Sequence, residues 1–184
     1  EPTAASLAYG LGLRSDEVKT VAVYDLGGGT FDISILRIAN GIFEVLSTNG
    51  DTYLGGDDFD REIVKYWAGK NDLSEEEVYS NKSLAQELRL KAEEAKKYLS
   101  VNNSYAGLAA GQPVELRKDE FEKLIQPLVD KTITCCTNAL KDAELSNAAI
   151  DEIIMVGGST RTPLVKESVS KFFGKPVHDS LNPD

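Results

Sequence analysis

Two short segments combine glycines, hydroxyl groups and an acid in a way that could bind phosphate. Residues 23–30 read VYDLGGGT and residues 155–160 read MVGGST, each after an apolar run typical of a buried strand. Without Cβ atoms, a backbone can approach a phosphate closely and direct successive N–H groups at it. Asp25, which precedes the first glycines, could hold a hydrated Mg²⁺ ion or orient a water molecule.

Each of these segments also has an ordinary structural explanation. A glycine-rich hairpin turn is common, and Gly-Gly-Ser-Thr after a strand is usually just the start of a helix. The chain contains neither G-x-x-x-x-G-K-[ST] nor G-x-G-x-x-G, which excludes a P-loop and a dinucleotide fingerprint. A third glycine-acid cluster, residues 50–60, lacks the EF-hand spacing, and Asp57 and Asp58 fit the first turn of a helix.

A fourth group of polar residues lies at helical spacing. Glu93, Lys96, Lys97 and Ser100 stand at i, i+3, i+4 and i+7, so one helix face carries all four. On residue types alone, the favoured explanation is an exposed Glu93–Lys97 ion pair, worth about 0.3–0.5 kcal/mol.

The hydrophobic pattern predicts an α/β protein with a Gly-rich link between its first two strands. Asn40-Gly41 is a strong two-residue hairpin signal, and Pro127 should kink a long helix or mark a boundary. Thr162-Pro163 should open the last helix, whose positive end then lies near the second glycine bend. The predicted helices are 1–11, 57–70, 83–100, 118–144 and 163–172, and the strands are 20–25, 31–38, 42–47, 104–108, 113–116 and 150–156.

The order of these elements predicts that both ends of the chain build one α/β core. Residues 1–54 and 129–184 would form an inner subdomain, and residues 55–128 an inserted α+β outer subdomain. The chain begins without Met and ends at Asn-Pro-Asp, so we expect a domain taken from a longer protein.

Composition limits the classes of partner. The net charge is −10 and the pI is about 4.7, which argues against a nucleic-acid surface and against an anionic membrane surface. Cys135 and Cys136 are adjacent, so a strain-free disulfide between them is disfavoured. We therefore expect two partly buried thiols in a reduced, cytoplasmic protein without a membrane span.

Several longer motifs resemble one family. VAVYDLGGGTFDISIL, GDTYLGGDDFD, EEAKKYLS, MVGGSTRTPLV and the closing NPD resemble the nucleotide-binding domain of the seventy-kilodalton heat-shock chaperones, the DnaK type, and EPTAASLAYG resembles its hinge segment. ISILRI, GIFEVLSTNGD, GGDDFD and LIQPLV…ALKDAEL look most like the HscA branch, which serves iron–sulfur cluster assembly. The resemblance covers the whole chain. It implies the actin-like ATPase, ribonuclease-H-like fold, and specifically its second lobe.

The resemblance also implies ATP or ADP as ligand, Mg²⁺ as cofactor and a role for each matching residue. Gly27, Gly28, Gly29 and Thr30 would contact the β- and γ-phosphates. Asp25 would lie near magnesium, bound through water, and near the attacking water, and Glu1 would couple the nucleotide to domain closure at a hinge. The remaining contacts are implied as follows: Gly56 beside the nucleotide cleft; Glu93, Lys96, Lys97 and Ser100 around the adenosine; Gly157, Gly158, Ser159 and Arg161 on its other side; and Asp184 near the ribose and adenine.

Two departures from the family pattern qualify these roles. Many members carry Arg where Lys97 stands, and a lysine cannot stack on adenine as a flat plate. The first lobe, with its phosphate loop and catalytic lysine, and the peptide-binding domain have no counterpart in the sequence. We therefore expect this chain to fold, to bind ADP weakly and to hydrolyse ATP negligibly.

The resemblance implies partners for the complete protein. These are a J-domain co-chaperone, an unfolded or scaffold-protein peptide held by the peptide-binding domain, and a nucleotide exchange factor. Two alternatives remain open at this point. One is a non-catalytic module that binds co-chaperones without nucleotide, and the other is a sugar kinase with the same actin-like fold.

Overall fold

The computed structural model describes residues 2–11 and 18–179, and the chain divides into two compact units. The first consists of residues 1–56 with 129–184, and the second of residues 57–128. The predicted boundaries lie at 54/55 and 128/129; that these units are subdomains of a larger lobe stays a prediction. The α-helices and strands are α1 Pro2–Ala8, β1 Val18–Leu26, β2 Phe31–Ala39, β3 Ile42–Asp51, α2 Gly56–Lys70, α3 Glu75–Tyr79, α4 Lys82–Tyr98, β4 Ser104–Ala109, β5 Gln112–Arg117, α5 Lys118–Asp142, β6 Glu152–Val156 and α6 Pro163–Phe173.

A four-stranded mixed sheet organises the first unit, in the order β3-β2-β1-β6. β1, β2 and β3 form the predicted antiparallel meander, whereas β6 lies parallel to β1. Asn40 and Gly41 turn the chain between β2 and β3 with φ values of 52° and 73°. Two successive positive φ angles are typical of the type I′ hairpin turn, which matches the twist of the flanking strands.

Other parts of the chain cover both faces of this sheet. Its central strands accordingly direct apolar side chains to each face. On one face, Val21 and Val23 of β1 pack with Leu36, Ile38 and Ala5 of α1. On the other face, the buried Tyr24 hydroxyl donates to Thr132 Oγ1 of α5 at 2.6 Å. Burial raises the pKa of the Tyr24 phenol, which keeps it neutral as a donor.

The second unit packs α2 and α4 with the β4–β5 hairpin. Trp67, the only tryptophan of the chain, is 2% exposed, stacks on Tyr105 and donates through Nε1 to the Glu115 carbonyl at 2.9 Å. The buried indole thus bridges the helix layer and the hairpin. Its fluorescence is a built-in reporter for the folding of this unit.

Sequence patterns predict most elements and miss one. α3 lies between two predicted helices, where no element is predicted, although residues 74–77 carry the S-x-x-E pattern and the Ser74 hydroxyl accepts from the Glu77 N–H at 3.1 Å. α5 continues through Pro127, and the two units divide directly after Leu128. β3 extends to Asp51, four residues beyond its predicted end, because pairing with β2 outweighs the low strand propensity of Asn49 and Gly50.

The two cysteines have the expected character. Cys136 is fully buried and Cys135 is half-buried, and both are free thiols. Burial raises the pKa of both thiols, so neither is a reactive thiolate at neutral pH. No helix in the described ranges is long and apolar enough to cross a bilayer.

The buried sheet gives a direct stability prediction. Ile33 of β2 is fully buried, so Ile33→Ala should lower the free energy of unfolding by about 2–5 kcal/mol through lost burial and the resulting cavity. Ile42 begins β3 and is 70% exposed, so Ile42→Ala should change the free energy by less than about 0.5 kcal/mol. Urea unfolding followed by circular dichroism measures both, and equal losses would contradict the described core.

Candidate functional site

The two glycine bends meet at the ends of the parallel strands β1 and β6. Gly157 has φ 96°, and a Cβ built on it would lie 2.2 Å from the Leu26 carbonyl oxygen and 3.1 Å from the Gly27 nitrogen. The Ser159 hydroxyl donates to the Gly27 carbonyl at 3.1 Å. The two bends therefore converge, and their contact requires a glycine at position 157.

The third glycine cluster supports the first bend from another direction. A Cβ on Gly55 would lie 2.3 Å from the Gly28 carbonyl oxygen and 2.7 Å from the Gly29 nitrogen. The Gly56 N–H donates to the Gly27 carbonyl at 2.8 Å. Gly55 was absent from the predicted site residues, although its place in a Gly-Gly pair before a helix was a usable signal. Its structural role is to let two backbones touch.

The opposite side of the first bend is open. The Gly27 N–H donates to the Thr30 carbonyl at 3.1 Å, which closes the turn. Gly28 and Gly29 are exposed, and their N–H groups donate to no backbone acceptor in the described residues. A Cβ on Gly29 would meet nothing within 4 Å. Exposed backbone amides of a glycine bend are a fit for phosphate oxygens.

Two carboxylates flank this bend. Asp25 of β1 pairs directly with Asp32 of β2 in the antiparallel register, so both side chains lie on the same face of the sheet. Asp25 is half-buried and Asp32 is exposed. Asp32 was not among the predicted site residues; the signal was its position as the first acid after the glycines.

This pair suits a Mg²⁺ ion that is also bound by water and phosphate better than it suits a metal bound only by protein ligands. No group of three or more His, Cys, Asp or Glu side chains in the described ranges could hold a metal ion. Mg²⁺ commonly takes one or two carboxylates and completes its shell with water and substrate phosphates. The donor set at Asp25 and Asp32 suits that mode of binding.

The second bend continues into a 3-10 turn and then into α6. The Thr160 hydroxyl donates to the Gly157 carbonyl at 2.6 Å, and Thr160 is buried. α6 begins at Pro163, as predicted, and Arg161 just before it is exposed. The start of this helix adds partial positive charge beside the second bend.

The polar residues of α4 and its end divide into a solvent-facing ion pair and an inward-facing lysine. Lys97 is 72% exposed and lies 2.9 Å from Glu93, as the ion-pair explanation predicted; its hydrogen bond holds the pKa of Glu93 below the usual range. Lys96 points inward and lies 2.9 Å from Asp60 of α2. The Ser100 hydroxyl donates to the Lys96 carbonyl at 3.4 Å.

The structure therefore brings together most of the predicted phosphate-side residues within the first unit. Glu1 and Asp184 lie outside the described residues. Glu93, Lys96 and Lys97 lie along α4 in the second unit, and Ser100 follows the end of this helix at Tyr98, two residues before its predicted end. The residues gathered around the bends are Asp25, Gly27, Gly28, Gly29, Thr30, Gly56, Gly157, Gly158 and Ser159.

The close contact at Gly157 predicts that an added methyl group will strongly lower the free energy of unfolding. Gly157→Ala should lower the free energy of unfolding by more than about 3 kcal/mol, because its Cβ would overlap the Leu26 carbonyl. Gly174 also has a positive φ, 72°, but a Cβ there meets nothing within 4 Å, so Gly174→Ala should cost only about 1 kcal/mol. Urea unfolding compares them; similar losses would show that backbone strain, not contact between the bends, dominates.

Comparison with known proteins agrees with this geometry. The family profile described as "Hsp70 protein" matches residues 1–184. The chain is 50% identical to the "Chaperone protein HscA homolog" of Vibrio atlanticus (strain LGP32) and 48% identical to the "Chaperone protein HscA" of Shigella boydii serotype 18, in both cases over 100% of this chain. It spans 29% of the length of each of these relatives. The chain therefore belongs to the Hsp70 family, whose fold is that of the actin-like ATPases.

Proposed function

We propose that this chain binds the phosphates of an adenine nucleotide at its glycine bends. The observation that carries the proposal is the open bend at residues 27–30, which two other glycine contacts fix in place while its Gly28 and Gly29 amides face solvent. Fixed amides need no reorganisation when a phosphate arrives, so their dipoles stabilise its negative charge effectively. Hsp70 family membership supports nucleotide as the ligand class.

The neighbouring groups extend this site. The Thr30 side chain lies at the exposed end of the bend and offers a hydroxyl to a terminal phosphate oxygen. Gly158 and Ser159 border the bend from β6, and the Ser159 hydroxyl remains an acceptor while it donates to Gly27. We assign these residues to the phosphate side of the nucleotide.

Asp25 is the proposed magnesium-side residue, with Asp32 as its neighbour. A bound magnesium ion would neutralise charge on the phosphates, and Asp25 would hold its water shell. The half-buried position of Asp25 on a central strand limits its motion, which suits a group that must orient water. Asp32 adds a second carboxylate on the same face of the sheet.

For the adenosine we propose Glu93, Lys96 and Lys97 of α4, Ser100 just after this helix, and Arg161. The exposure of Lys97 and its pairing with Glu93 leave it able to rearrange toward a ligand. Arg161 offers the planar guanidinium that Lys97 lacks, so we propose that stacking on adenine falls to Arg161. Glu1 and Asp184 keep the hinge and ribose roles as proposals from the resemblance.

For the complete protein we propose a chaperone ATPase that converts ATP to ADP and phosphate and so controls peptide binding. The relatives' names state a chaperone role, and iron–sulfur cluster assembly is the client process that we propose from the HscA resemblance. A J-domain co-chaperone, a scaffold-protein peptide and a nucleotide exchange factor are the proposed partners. Family membership favours this function over a sugar kinase.

Gly29→Ala is the sharpest test of the phosphate site. The added methyl meets no protein atom within 4 Å, so the free energy of unfolding should change by less than about 1 kcal/mol. The same methyl would occupy space at the proposed phosphate position, so the affinity for Mg–ADP should fall at least about tenfold. NMR titration of this chain, which tolerates weak binding, measures the dissociation constant.

Gly69→Ala is the matched control, because a Cβ at Gly69 of α2 also meets nothing within 4 Å. It should leave the Mg–ADP affinity unchanged. Asp25→Asn should weaken Mg–ADP binding more than it weakens binding of ADP in EDTA. Equal Mg–ADP affinity for the parent chain, Gly29→Ala and Asp25→Asn would show that the nucleotide binds away from the glycine bends. No change in the thermal melting of the parent chain with excess Mg–ADP would instead support the rival interaction module.

ATP turnover should require the first lobe. We expect phosphate release by this chain to be indistinguishable from the buffer rate. A two-lobed protein carrying this chain should hydrolyse ATP and respond to a J-domain protein. Turnover by this chain comparable with that of the two-lobed protein would contradict the proposed requirement for the first lobe.

A further inference from the structure

One ion pair in the second unit is buried far more deeply than the others around it. Asp60 Oδ1 of α2 lies 2.9 Å from Lys96 Nζ of α4, and the two side chains are only 4% and 13% exposed. The neighbouring Asp58–Arg61 and Glu93–Lys97 pairs each have a partner that is at least 65% exposed. The Asp60–Lys96 pair therefore differs in kind from the solvated pairs of the same helices.

The surroundings of this pair make its charges costly to keep. Phe59 and Ile63 beside Asp60, and Ala92 and Ala95 beside Lys96, are all buried apolar residues. Burial raises the pKa of the Asp60 carboxyl; Lys96 opposes this shift, and Glu93 and Asp57 add to it. Because desolvation offsets the attraction within a buried ion pair, such a pair is weak evidence for a contribution to stability. Apolar residues of similar volume would serve the packing equally well.

The geometry suits a different purpose, which is to fix one lysine. A lysine side chain has four rotatable bonds and loses considerable entropy when it is held in one conformation. The Asp60 carboxylate supplies that constraint from a rigid helix and selects the inward orientation of Lys96, whereas Lys97, one residue later, extends into solvent. An ammonium has three donor hydrogens, so the same group can donate to Asp60 and to a ligand oxygen.

We propose that Asp60 is a positioning residue that holds Lys96 for its contact with the adenosine part of the nucleotide. Asp60 acts through Lys96 and does not itself touch the ligand. This inference rests on the proposed nucleotide function and deepens it, because it assigns the orientation of an adenosine contact to a residue of another helix. Asp60, Arg61 and Arg89 line a groove between α2 and α4. The proposed contact would place the adenosine next to this groove.

A double-mutant cycle tests the proposal in this chain. Asp60→Asn, Lys96→Gln and the double variant are titrated with Mg–ADP and with Mg–pyrophosphate, which lacks the adenosine. Each single variant should bind Mg–ADP about tenfold more weakly, and the double variant no more weakly than the weaker single variant, because both changes remove one interaction. Pyrophosphate affinity should change by less than about twofold in all three, since phosphate contacts lie at other residues.

Two controls separate positioning from folding. Asp58→Asn is the matched substitution on the same helix, at an acid paired with the exposed Arg61, and it should leave both affinities unchanged. Trp67 fluorescence during urea unfolding reports whether the second unit remains folded in each variant. If a single variant unfolds, the double variant still tests the proposal, because it buries two neutral side chains and no unpaired charge.

The possible results are distinct. Mg–ADP affinity for Asp60→Asn within about twofold of the parent chain would overturn the positioning role while leaving the proposed function intact. Equal losses for ADP and pyrophosphate would also overturn it and would indicate a purely structural pair. Multiplicative losses in the double variant would overturn it by showing that Asp60 and Lys96 act independently. Absence of Mg–ADP binding by the parent chain would instead refute the proposed function and, with it, this inference.

Discussion

The Gly27 carbonyl is the point on which the first unit depends. It accepts hydrogen bonds from the Gly56 N–H and the Ser159 hydroxyl, so three segments distant in sequence are joined at one atom. These approaches are possible only because positions 55 and 157 lack a Cβ, which would lie 2.2–2.3 Å from a facing carbonyl oxygen. The close contact holds the bend rigid, and rigidity is what turns a glycine turn into a preorganised array of amides.

Local patterns predict the elements of this protein well. Asn40-Gly41 specifies its turn through two positive φ angles, and the apolar run before Gly157 specifies a strand with a buried centre. The convergence of the two bends also follows from sequence, because adjacent parallel strands place their carboxyl ends at one edge of a sheet. These features are encoded within a few residues of where they occur.

The missed site residues depend on contacts between distant segments, whereas the missed helix α3 has a local signal in its Ser74 cap. Gly55 matters because of Gly28, and Asp32 because strand register sets it opposite Asp25. The sequence alone places Asp60 in an acidic segment at the start of a helix. In the structure, packing of α2 on α4 buries Asp60 against Lys96. Sequence reasoning ranked the Glu93–Lys97 pair correctly as a solvated pair. It could not show that the adjacent lysine turns inward, since spacing on one helix does not show what the opposite helix presents.

Amide chemical shifts can show whether the rigid amides of the first bend receive the nucleotide phosphates. We would record the ¹H–¹⁵N spectrum of this chain during titration with Mg–ADP and follow the Gly28 and Gly29 signals, with Gly69 and Gly111 as references. We expect saturable shifts at Gly28 and Gly29 that exceed those at both references. Saturable binding with unchanged Gly28 and Gly29 signals would contradict it.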